Sequence, residues 1–291
     1  MPTDLLRTRY GITAGALTPL TGGEACTVYL VEAPTPVVIR LSPTELSVAE
    51  LAWAYAAAVE LGQDIPEVVR PIAALDGSLV VDAGGSPMSV WPAVGGAHLD
   101  REDPAARESA ARLLAKLHRA AGRIAVGPRP GPRTAPPPAV DLADVDDPDL
   151  ADRLRRWRSG NSWPSGVVHG DFFRGNLLWR DGRITGLIDW DEARIDCFAA
   201  ELAWSVWEFA KGPDGDRLRP DRAAAFLSAY RRAGGPRYPG TLLGALIRQR
   251  LRSEIRRSRI AAALGRPHDL AYEAAEVRAF ATVEDDLRGL R

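Results

Sequence analysis

The stretch Val167–Glu192, VVHGDFFRGNLLWRDGRITGLIDWDE, holds the densest run of chemically capable residues in the chain. Two apolar runs inside it have the length and branching of buried strands, and each ends in a polar group. A pair of valines precedes His169, and a Gly-Leu-Ile run precedes Asp189. The polar residues are therefore predicted to lie at the ends of strands.

The spacing of the polar residues within this stretch predicts a chemistry. Asp171 is followed five positions later by Asn176, and a hairpin with Asp181 and Gly182 at its turn returns the chain to Asp189. Phosphoryl transfer needs a carboxylate that orients the attacking hydroxyl and accepts its proton, and oxygen ligands that hold magnesium against the phosphates. We therefore predict Asp171 as the base and Asn176 and Asp189 as the metal ligands.

The motif H-G-D-x-x-x-x-N at residues 169–176, followed by I-D-W at residues 188–190, resembles the aminoglycoside phosphotransferase family and its choline-kinase-like and homoserine-kinase-like relatives. Compared with the protein-kinase motifs H-R-D and D-F-G, glycine replaces the arginine and tryptophan the phenylalanine. The resemblance implies an α+β, bilobal, protein-kinase-like fold. A small β-rich nucleotide-binding lobe would span residues 1–92, and a larger, mainly helical, catalytic and substrate-binding lobe residues 93–291.

Three positions depart from the usual pattern of that family. Phe173 stands where members often have histidine, and Arg174 where they often have proline. Glu201 begins a Glu-Leu-Ala triplet where members usually carry Asp-Leu-Ala, which adds one methylene group. His169 we interpret as a structural residue that braces the loop, and it receives no chemical role.

The composition limits which kinds of function and partner this chain can have. The chain has 291 residues and a formal net charge of −1, so no global field points to nucleic acid or to an anionic membrane. Cys26 and Cys197 are too few for a disulfide framework or a metal site. Residues 1–9 carry no apolar targeting segment, and no apolar run approaches the length of a membrane span. We expect a cytoplasmic protein with a small-molecule partner and no nucleic-acid or membrane partner; its oligomeric state is left open.

Phosphate-binding residues are predicted near the N-terminus. Gly22 and Gly23 lie in a turn between two β-prone runs, 17–20 and 27–31, where backbone N–H groups can approach phosphate oxygens. Arg40 ends the apolar strand predicted over 36–41. Because no lysine precedes Lys116 in this chain, Arg40 must serve as the cation that holds the α and β phosphates. The alternative is a surface arginine on an edge strand.

An alanine-rich segment over residues 47–61 has apolar residues at i, i+3, i+4 and i+7, which predicts a packed helix. Glu50 on its first turns is predicted to pair with Arg40 and orient it, with Glu45 as the competing partner.

Two further strands are predicted over 68–74 and 78–82, followed by a hinge over 88–96. The resemblance implies that a nucleobase docked at this hinge hydrogen-bonds to backbone groups around Val90 and Trp91.

The C-terminal part is predicted to be helical, with a helix over 104–121, a proline-rich linker or surface loop over 126–140, and helices to the end of the chain beyond Asp189. Those last helices are predicted over 198–210, 220–233, 241–264 and 270–287. Four carboxylates make a cationic acceptor plausible: Asp191, Glu192, Glu201 and Glu208.

We predict from these features an ATP- or GTP-dependent and Mg²⁺-dependent transfer of the γ-phosphate to a small-molecule hydroxyl. An aminoglycoside or other antibiotic and a homoserine-, choline- or sugar-like metabolite all fit the same motif, because substrate choice lies in the variable helical lobe. A pseudokinase-like module that binds nucleotide without chemistry is the alternative from another class; it predicts loss of a catalytic carboxylate or metal ligand, and none is missing.

Overall fold

The computed structural model describes residues 2–20, 26–131, 137–160 and 163–288, and it shows a mixed α+β fold that divides into two compact units. The first unit contains Met1–His98, Ile124–Thr134 and Asn176–Ile195, and the second contains Leu99–Arg123, Ala135–Gly175 and Asp196–Arg291. The division differs from the single boundary predicted at residue 92, because two later segments of the chain return to the first unit.

Among the described residues, six of the ten strands lie before Leu99 and six of the eight helices lie after it. The strands are β1 (Leu17–Leu20), β2 (Thr27–Val31), β3 (Val37–Leu41), β4 (Val81–Asp82), β5 (Pro87–Pro92), β6 (Ala97–His98), β7 (Ser165–Val168), β8 (Leu177–Arg180), β9 (Arg183–Leu187) and β10 (Arg194–Cys197). The helices are α1 (Pro2–Tyr10), α2 (Val48–Asp64), α3 (Pro104–Ala121), α4 (Leu150–Gly160), α5 (Phe198–Ala210), α6 (Pro220–Arg232), α7 (Gly240–Ala263) and α8 (Leu270–Arg288). Short 3₁₀ turns lie at Ala143–Val145 and Arg174–Asn176.

A five-stranded sheet in the order β1-β2-β3-β5-β4 forms the core of the first unit, and its neighbouring strands are antiparallel. On β3, Val37 and Ile39 are buried in an apolar cluster that also contains Leu6 and Tyr10 of α1. Because side chains alternate along a strand, Arg40 projects from the opposite face of the sheet. Helix α1 is absent from the sequence prediction.

Helix α2 confirms the predicted helix and shows why it begins where it does. The Ser47 side chain accepts from the Glu50 N–H at 3.1 Å, and the Glu50 side chain accepts from the Ser47 N–H at 3.1 Å. This reciprocal capping box satisfies two N–H groups that the first turn would otherwise leave without partners. Leu51 and Tyr55 on the apolar face are fully buried.

The strands predicted over 68–74 and 78–82 are largely wrong. Only isolated bridges form there, Val68 with Leu187 and Ile72 with Val90, before the two-residue β4. Pro71 lies between the two bridges and has no N–H to donate, so a continuous ladder cannot run through it. The bridge to Leu187 connects this segment to the three-stranded sheet β6-β8-β9.

The second unit is mainly helical, as predicted. Strands β10 and β7 form a two-stranded sheet. Strand β10 corrects the prediction that the chain is helical throughout beyond Asp189, and the division between the units falls within it. Helices α7 and α8 approach closely at Gly244, where a Cβ would lie 3.1 Å from Glu284 Cα. Within the described ranges, no helix combines the length and apolarity needed to cross a membrane.

A buried carboxyl on α8 gives the second unit a pH-dependent stability. Glu276 is 2% exposed, and its Oε1 has no hydrogen-bond partner among the described residues. Burial, and after it the charge of Glu254, raises the pKa of Glu276 from 4.5 to about 8. As the pH rises between these values, the unfolded chain releases the proton before the folded protein does. The folded state therefore loses stability across that window and does not regain it at higher pH.

We expect Glu276→Gln to raise the free energy of unfolding above pH 8 by about 2–4 kcal/mol, since one unit of pKa corresponds to about 1.4 kcal/mol. Near pH 4.5 the two proteins should be nearly equal. Thermal unfolding followed by circular dichroism at both pH values measures the difference. Glu60→Gln, at an exposed position of α2, is the control. A gain of equal size at both pH values would refute the linkage.

Candidate active site

Arg40 is the centre of a charged cluster in the first unit. Its Nη2 donates to Asp189 Oδ1 at 2.9 Å and to Asp191 Oδ2 at 3.1 Å. The side chain of Arg40 is only 12% exposed. The predicted strand cation and one predicted metal ligand are therefore in direct contact.

The charges of the two carboxylates offset the burial of the Arg40 guanidinium. Burial alone would lower the pKa of Arg40, but the charges of Asp191 and then Asp189 raise it well above its ordinary value. Burial raises the pKa of Asp191, and the charge of Arg40 opposes that effect. The Tyr55 hydroxyl donates to Asp191 Oδ1 at 2.8 Å, and the Cys26 thiol lies 3.4 Å from Arg40 Nη2. Asp191 is thus the buried anchor of the cluster.

The predicted ion pair between Glu50 and Arg40 is wrong. The carboxylate of Glu50 is used by the capping box of α2, and its Oε1 lies 3.9 Å from Arg129. Asp191 takes the predicted place of Glu50 as the partner of Arg40. The role predicted for Asp191, contact with a cationic substrate, is corrected by the same geometry, because both of its oxygens are already bonded within the protein.

Asp189 and Asn176 are brought together by the β8–β9 hairpin. Leu177 pairs with Leu187, and the Ile188 N–H donates to the Asn176 carbonyl at 3.0 Å, so Asn176 lies opposite the residue that precedes Asp189. Asp189 has a φ of +66°, a left-handed conformation that aspartate tolerates better than most residues. This turn leaves the Asp189 side chain 44% exposed, although it is bonded to Arg40.

The donor set at this strand end fits magnesium. A carboxylate and an amide oxygen are hard oxygen ligands, and Mg²⁺ in nucleotide sites takes one or two such ligands and completes its shell with phosphates and water. In the described part of the chain, no cluster of three or more His, Cys, Asp or Glu side chains is placed to hold a metal. Asp189 and Asn176 are two oxygen donors of the kind that Mg²⁺ takes in a nucleotide site.

The residues predicted to contact the nucleotide are only partly described. Gly22 and Gly23 lie outside the described residues. Val90 and Trp91 are buried in β5, and the Val90 carbonyl accepts from the Ile72 N–H at 2.7 Å. Trp91 lies opposite Val38 in the ladder between β3 and β5. The Val90 carbonyl, which the prediction assigns to a nucleobase, therefore already accepts a hydrogen bond from Ile72.

In the second unit, the loop after β7 carries the predicted base and is braced by α5. His169 is fully buried, and its Nδ1 accepts from the Asp171 N–H at 3.3 Å, in keeping with the structural role predicted for it. Glu201 Oε1 accepts from the Gly170 N–H at 2.7 Å. One helical turn later, the Ser205 hydroxyl donates to the Phe172 carbonyl at 3.2 Å. Backbone groups on both sides of Asp171 are therefore fixed by the same helix.

The substrate role predicted for Glu201 is replaced by this bracing role. Its second oxygen lies 2.8 Å from His118 Nε2, and His118 Nδ1 lies 2.7 Å from the Tyr230 hydroxyl. Burial alone would raise the pKa of Glu201, but the hydrogen bond with His118, the charges of His118 and His169 and the bond from the Gly170 N–H together hold that pKa below its ordinary value. Glu201 is a buried anion with both oxygens bonded.

The two other carboxylates predicted for the substrate differ in environment. Glu208 is buried, and its Oε1 accepts from Lys211 Nζ at 2.6 Å, so its charge is already neutralised within α5 and its C-cap. Glu192 is partly exposed and lies 4.0 Å from Arg194. Glu192 remains a predicted substrate contact, whereas Glu208 could contribute only as part of an ion pair.

Sequence reasoning missed Tyr55, His118 and Ser205 as parts of this machinery. Tyr55 and Ser205 lie on helix faces that periodicity predicts to be buried. No local sequence pattern indicates that their hydroxyl groups form hydrogen bonds. His118 is buried in α3, and it also anchors Glu201.

Comparison with known proteins identifies the family. A model of the phosphotransferase enzyme family, the aminoglycoside phosphotransferase group, matches residues 16–236 of this chain. The chain belongs to that family. The match includes Arg40 and the whole of Val167–Glu192, so the predicted family is confirmed.

Individual members of the phosphotransferase family resemble this chain over shorter stretches. A homoserine kinase of Xanthobacter autotrophicus is 28% identical over 174 residues, which cover 55% of this chain and 53% of that protein. A homoserine kinase of Methylobacterium nodulans is 36% identical over 97 residues, 31% of this chain and 30% of that protein. The chain thus spans about half the length of such curated relatives, or less.

Solved structures share the fold over nearly the full length. A microcompartment-associated aminopropanol kinase superimposes with a TM-score of 0.69 at 19% identity, covering 100% of this chain and 98% of its own. At these identities the likeness establishes the fold, and it confirms the α+β, kinase-like architecture predicted from the sequence.

Proposed function

We propose that the chain is a small-molecule kinase that moves the γ-phosphoryl group of ATP to a hydroxyl group. The observation that carries the proposal is the 2.9 Å contact of Arg40 with the half-exposed Asp189, in the unit that also holds Asn176. A cation for phosphates and two oxygen ligands for a metal are what phosphoryl transfer requires, because positioning and charge neutralisation supply most of its catalysis. The family match over residues 16–236 supports the same function.

Arg40 would bind the α and β phosphates, and Asp189 and Asn176 would hold magnesium. Bound magnesium supplies neutralisation of the phosphate charge. Arg40 would then exchange its bond to Asp189 for bonds to phosphate while Asp191 keeps it charged. Asp171 would accept the proton of the acceptor hydroxyl, held in place through Gly170 and Glu201.

ATP is the proposed nucleotide, with GTP as the second choice. Members of this fold class have been solved with adenine nucleotides, namely an amicoumacin kinase with AMP-PNP and a spectinomycin phosphotransferase with ADP. Because the Val90 carbonyl already accepts from the Ile72 N–H, we place the nucleobase contact at Pro92, the last residue of β5. Directions alternate along a strand, so the Pro92 carbonyl points in the same direction as that of Val90.

An amino alcohol is the proposed acceptor class. Homoserine kinases recur among the curated relatives, and an aminopropanol kinase shares the fold over its full length. Glu192 is the partly exposed carboxylate that would suit an ammonium group. An aminoglycoside or another antibiotic is the second candidate, favoured by the solved spectinomycin and hygromycin B complexes of the same fold.

A screen for acceptor-dependent ADP release tests this function. Purified protein with Mg-ATP would be offered homoserine, aminopropanol, choline, spectinomycin and hygromycin B, and product formation would be followed by ³¹P NMR. We expect phosphorylation of an amino alcohol that disappears in Asp171→Asn. Tight binding of ATP with no turnover on any hydroxyl compound would favour the pseudokinase-like alternative.

A further inference from the structure

The beginning of the proline-rich segment predicted to be a linker, residues 126–131, is bonded to the first unit. Residues Ile124–Thr134 belong to that unit, although α3 before them belongs to the second. Trp53 of α2 donates its indole N–H to the Gly127 carbonyl at 2.7 Å. This bond anchors the segment two residues before Arg129.

Arg129 bonds to the backbone of the turn that follows Asp189. Its Nη2 donates to the Asp191 carbonyl at 3.0 Å, and its Nη1 donates to the Ala193 carbonyl at 2.6 Å. The same turn is closed by the Ala193 N–H, which donates to the Trp190 carbonyl at 3.0 Å. One guanidinium therefore spans both carbonyls at the end of the turn.

Arg129 also reaches α2. Its Nη2 lies 3.9 Å from Glu50 Oε1, and the side chain of Glu50 is only 4% exposed. Tyr55 of the same helix donates to the side chain of Asp191. The turn after Asp189 is thus attached to α2 at two points, through Tyr55 on the side chain of Asp191 and through Arg129 on its backbone.

We propose that Arg129 is a positioning residue for magnesium binding by Asp189. The sequence predicts one ion pair, between Arg40 and Glu50 of α2. The structure has two pairs instead: Arg40 pairs with Asp191, and Glu50 with Arg129. Arg129 holds the turn that directly follows Asp189, and through it limits the direction of the Asp189 carboxylate. The inference rests on the proposed nucleotide site.

The geometry requires arginine. Two donors in a rigid planar fork reach two carbonyl oxygens at once, whereas the single ammonium of lysine is a point charge. Arg129→Lys should therefore fail to restore what Arg129→Ala removes. The loss of affinity caused by Arg129→Ala should depend on the metal, whereas the loss caused by removing a residue that only stabilises the fold would not.

Calorimetric titration of AMP-PNP, with Mg²⁺ and with EDTA, tests the role. Removal of a group that orients a metal ligand costs about 10- to 100-fold in metal affinity. We expect Arg129→Ala and Arg129→Lys to reduce the magnesium-dependent gain in AMP-PNP affinity by about that factor, with metal-free affinity unchanged. Trp53→Phe, which removes the anchoring indole bond but keeps the ring, should show a smaller loss of the same kind. Arg123→Ala, in the same connection, is the control.

The outcomes distinguish a failure of the role proposed for Arg129 from a failure of the proposed function. An Arg129→Ala protein that is folded by circular dichroism and keeps the full magnesium-dependent gain would overturn the role of Arg129 and leave the proposed function standing. If Arg129→Ala does not fold, folded Arg129→Lys and Trp53→Phe proteins that keep the full magnesium-dependent gain in AMP-PNP affinity would overturn the role of Arg129. Wild-type protein without any magnesium-dependent gain would contradict the proposed function itself.

Discussion

Asp171→Asn should lower turnover by about 10²- to 10⁴-fold and leave the affinity for AMP-PNP close to that of the wild type. Asparagine matches aspartate in size and can still hydrogen-bond, but it cannot accept the proton of the acceptor hydroxyl. The loop should keep its conformation, because its backbone is held by Glu201 at Gly170 and by Ser205 at Phe172. Initial rates with the acceptor found in the screen, and calorimetric titration of AMP-PNP, measure the two effects.

Asp181→Asn is the matched control for this substitution. Asp181 lies in the turn between β8 and β9 with its side chain 82% exposed, and asparagine tolerates the left-handed conformation found there. Its rate should equal that of the wild type. An equal loss of nucleotide affinity and turnover in Asp171→Asn would move Asp171 from the base to the metal shell, and an unchanged rate would remove it from the chemistry.

Arg40→Met should lower the free energy of unfolding by about 3–5 kcal/mol and abolish measurable nucleotide binding. The stability loss follows from removal of one partner of a buried ion pair, which leaves Asp191 without its compensating charge. The loss of binding follows from removal of the proposed phosphate cation. Urea denaturation and calorimetric titration of AMP-PNP measure the two consequences separately.

Arg40→Lys keeps the charge and provides the comparison. Both carboxylates bond to the same nitrogen of Arg40, so a lysine ammonium could replace much of the contact. We expect a much smaller loss of stability and partial nucleotide binding. The double variant Arg40→Met with Asp191→Leu should recover stability without recovering binding. If Arg40→Met and Arg40→Lys had equal free energies of unfolding, the ion pair with Asp191 would not be what stabilises the cluster.

The residues of the central motif could be predicted because their information is local. Asp171, Asn176 and Asp189 lie within one short stretch, and the alternation of apolar runs with polar ends places each at the end of a strand. The hairpin between Asn176 and Asp189 follows from an Asp-Gly turn. The register shift between Leu178 and Trp179, which places Asn176 opposite Ile188, has no such signal in the sequence.

The partner of Glu50 was predicted wrongly, although the sequence held the correct signal. Ser47 and Glu50 have the S-x-x-E spacing of a capping box, which commits the glutamate to the start of its own helix. The kinase pattern pairs this glutamate with the strand cation, whereas the capping rule bonds it to the start of its own helix. In the structure the local bond is made, and Asp191 takes over the ion pair.

The contacts of Arg129 could not be predicted from the sequence. A proline-rich segment has neither helical nor strand periodicity, so nothing in it indicates which side of the fold it follows. Arg129 and Asp191 are also far apart along the chain, and only the tertiary structure brings them together. The same holds for Glu201, whose two bonds reach different parts of the second unit.

Structure determination of the protein crystallised with AMP-PNP and Mg²⁺ tests the central claim most directly. We predict a magnesium ion bonded to oxygens of Asp189 and Asn176 at about 2.0–2.1 Å, with Arg40 turned from Asp189 to the phosphates and still bonded to Asp191. A nucleotide bound away from Arg40, or a metal without Asp189 among its ligands, would contradict the proposed site.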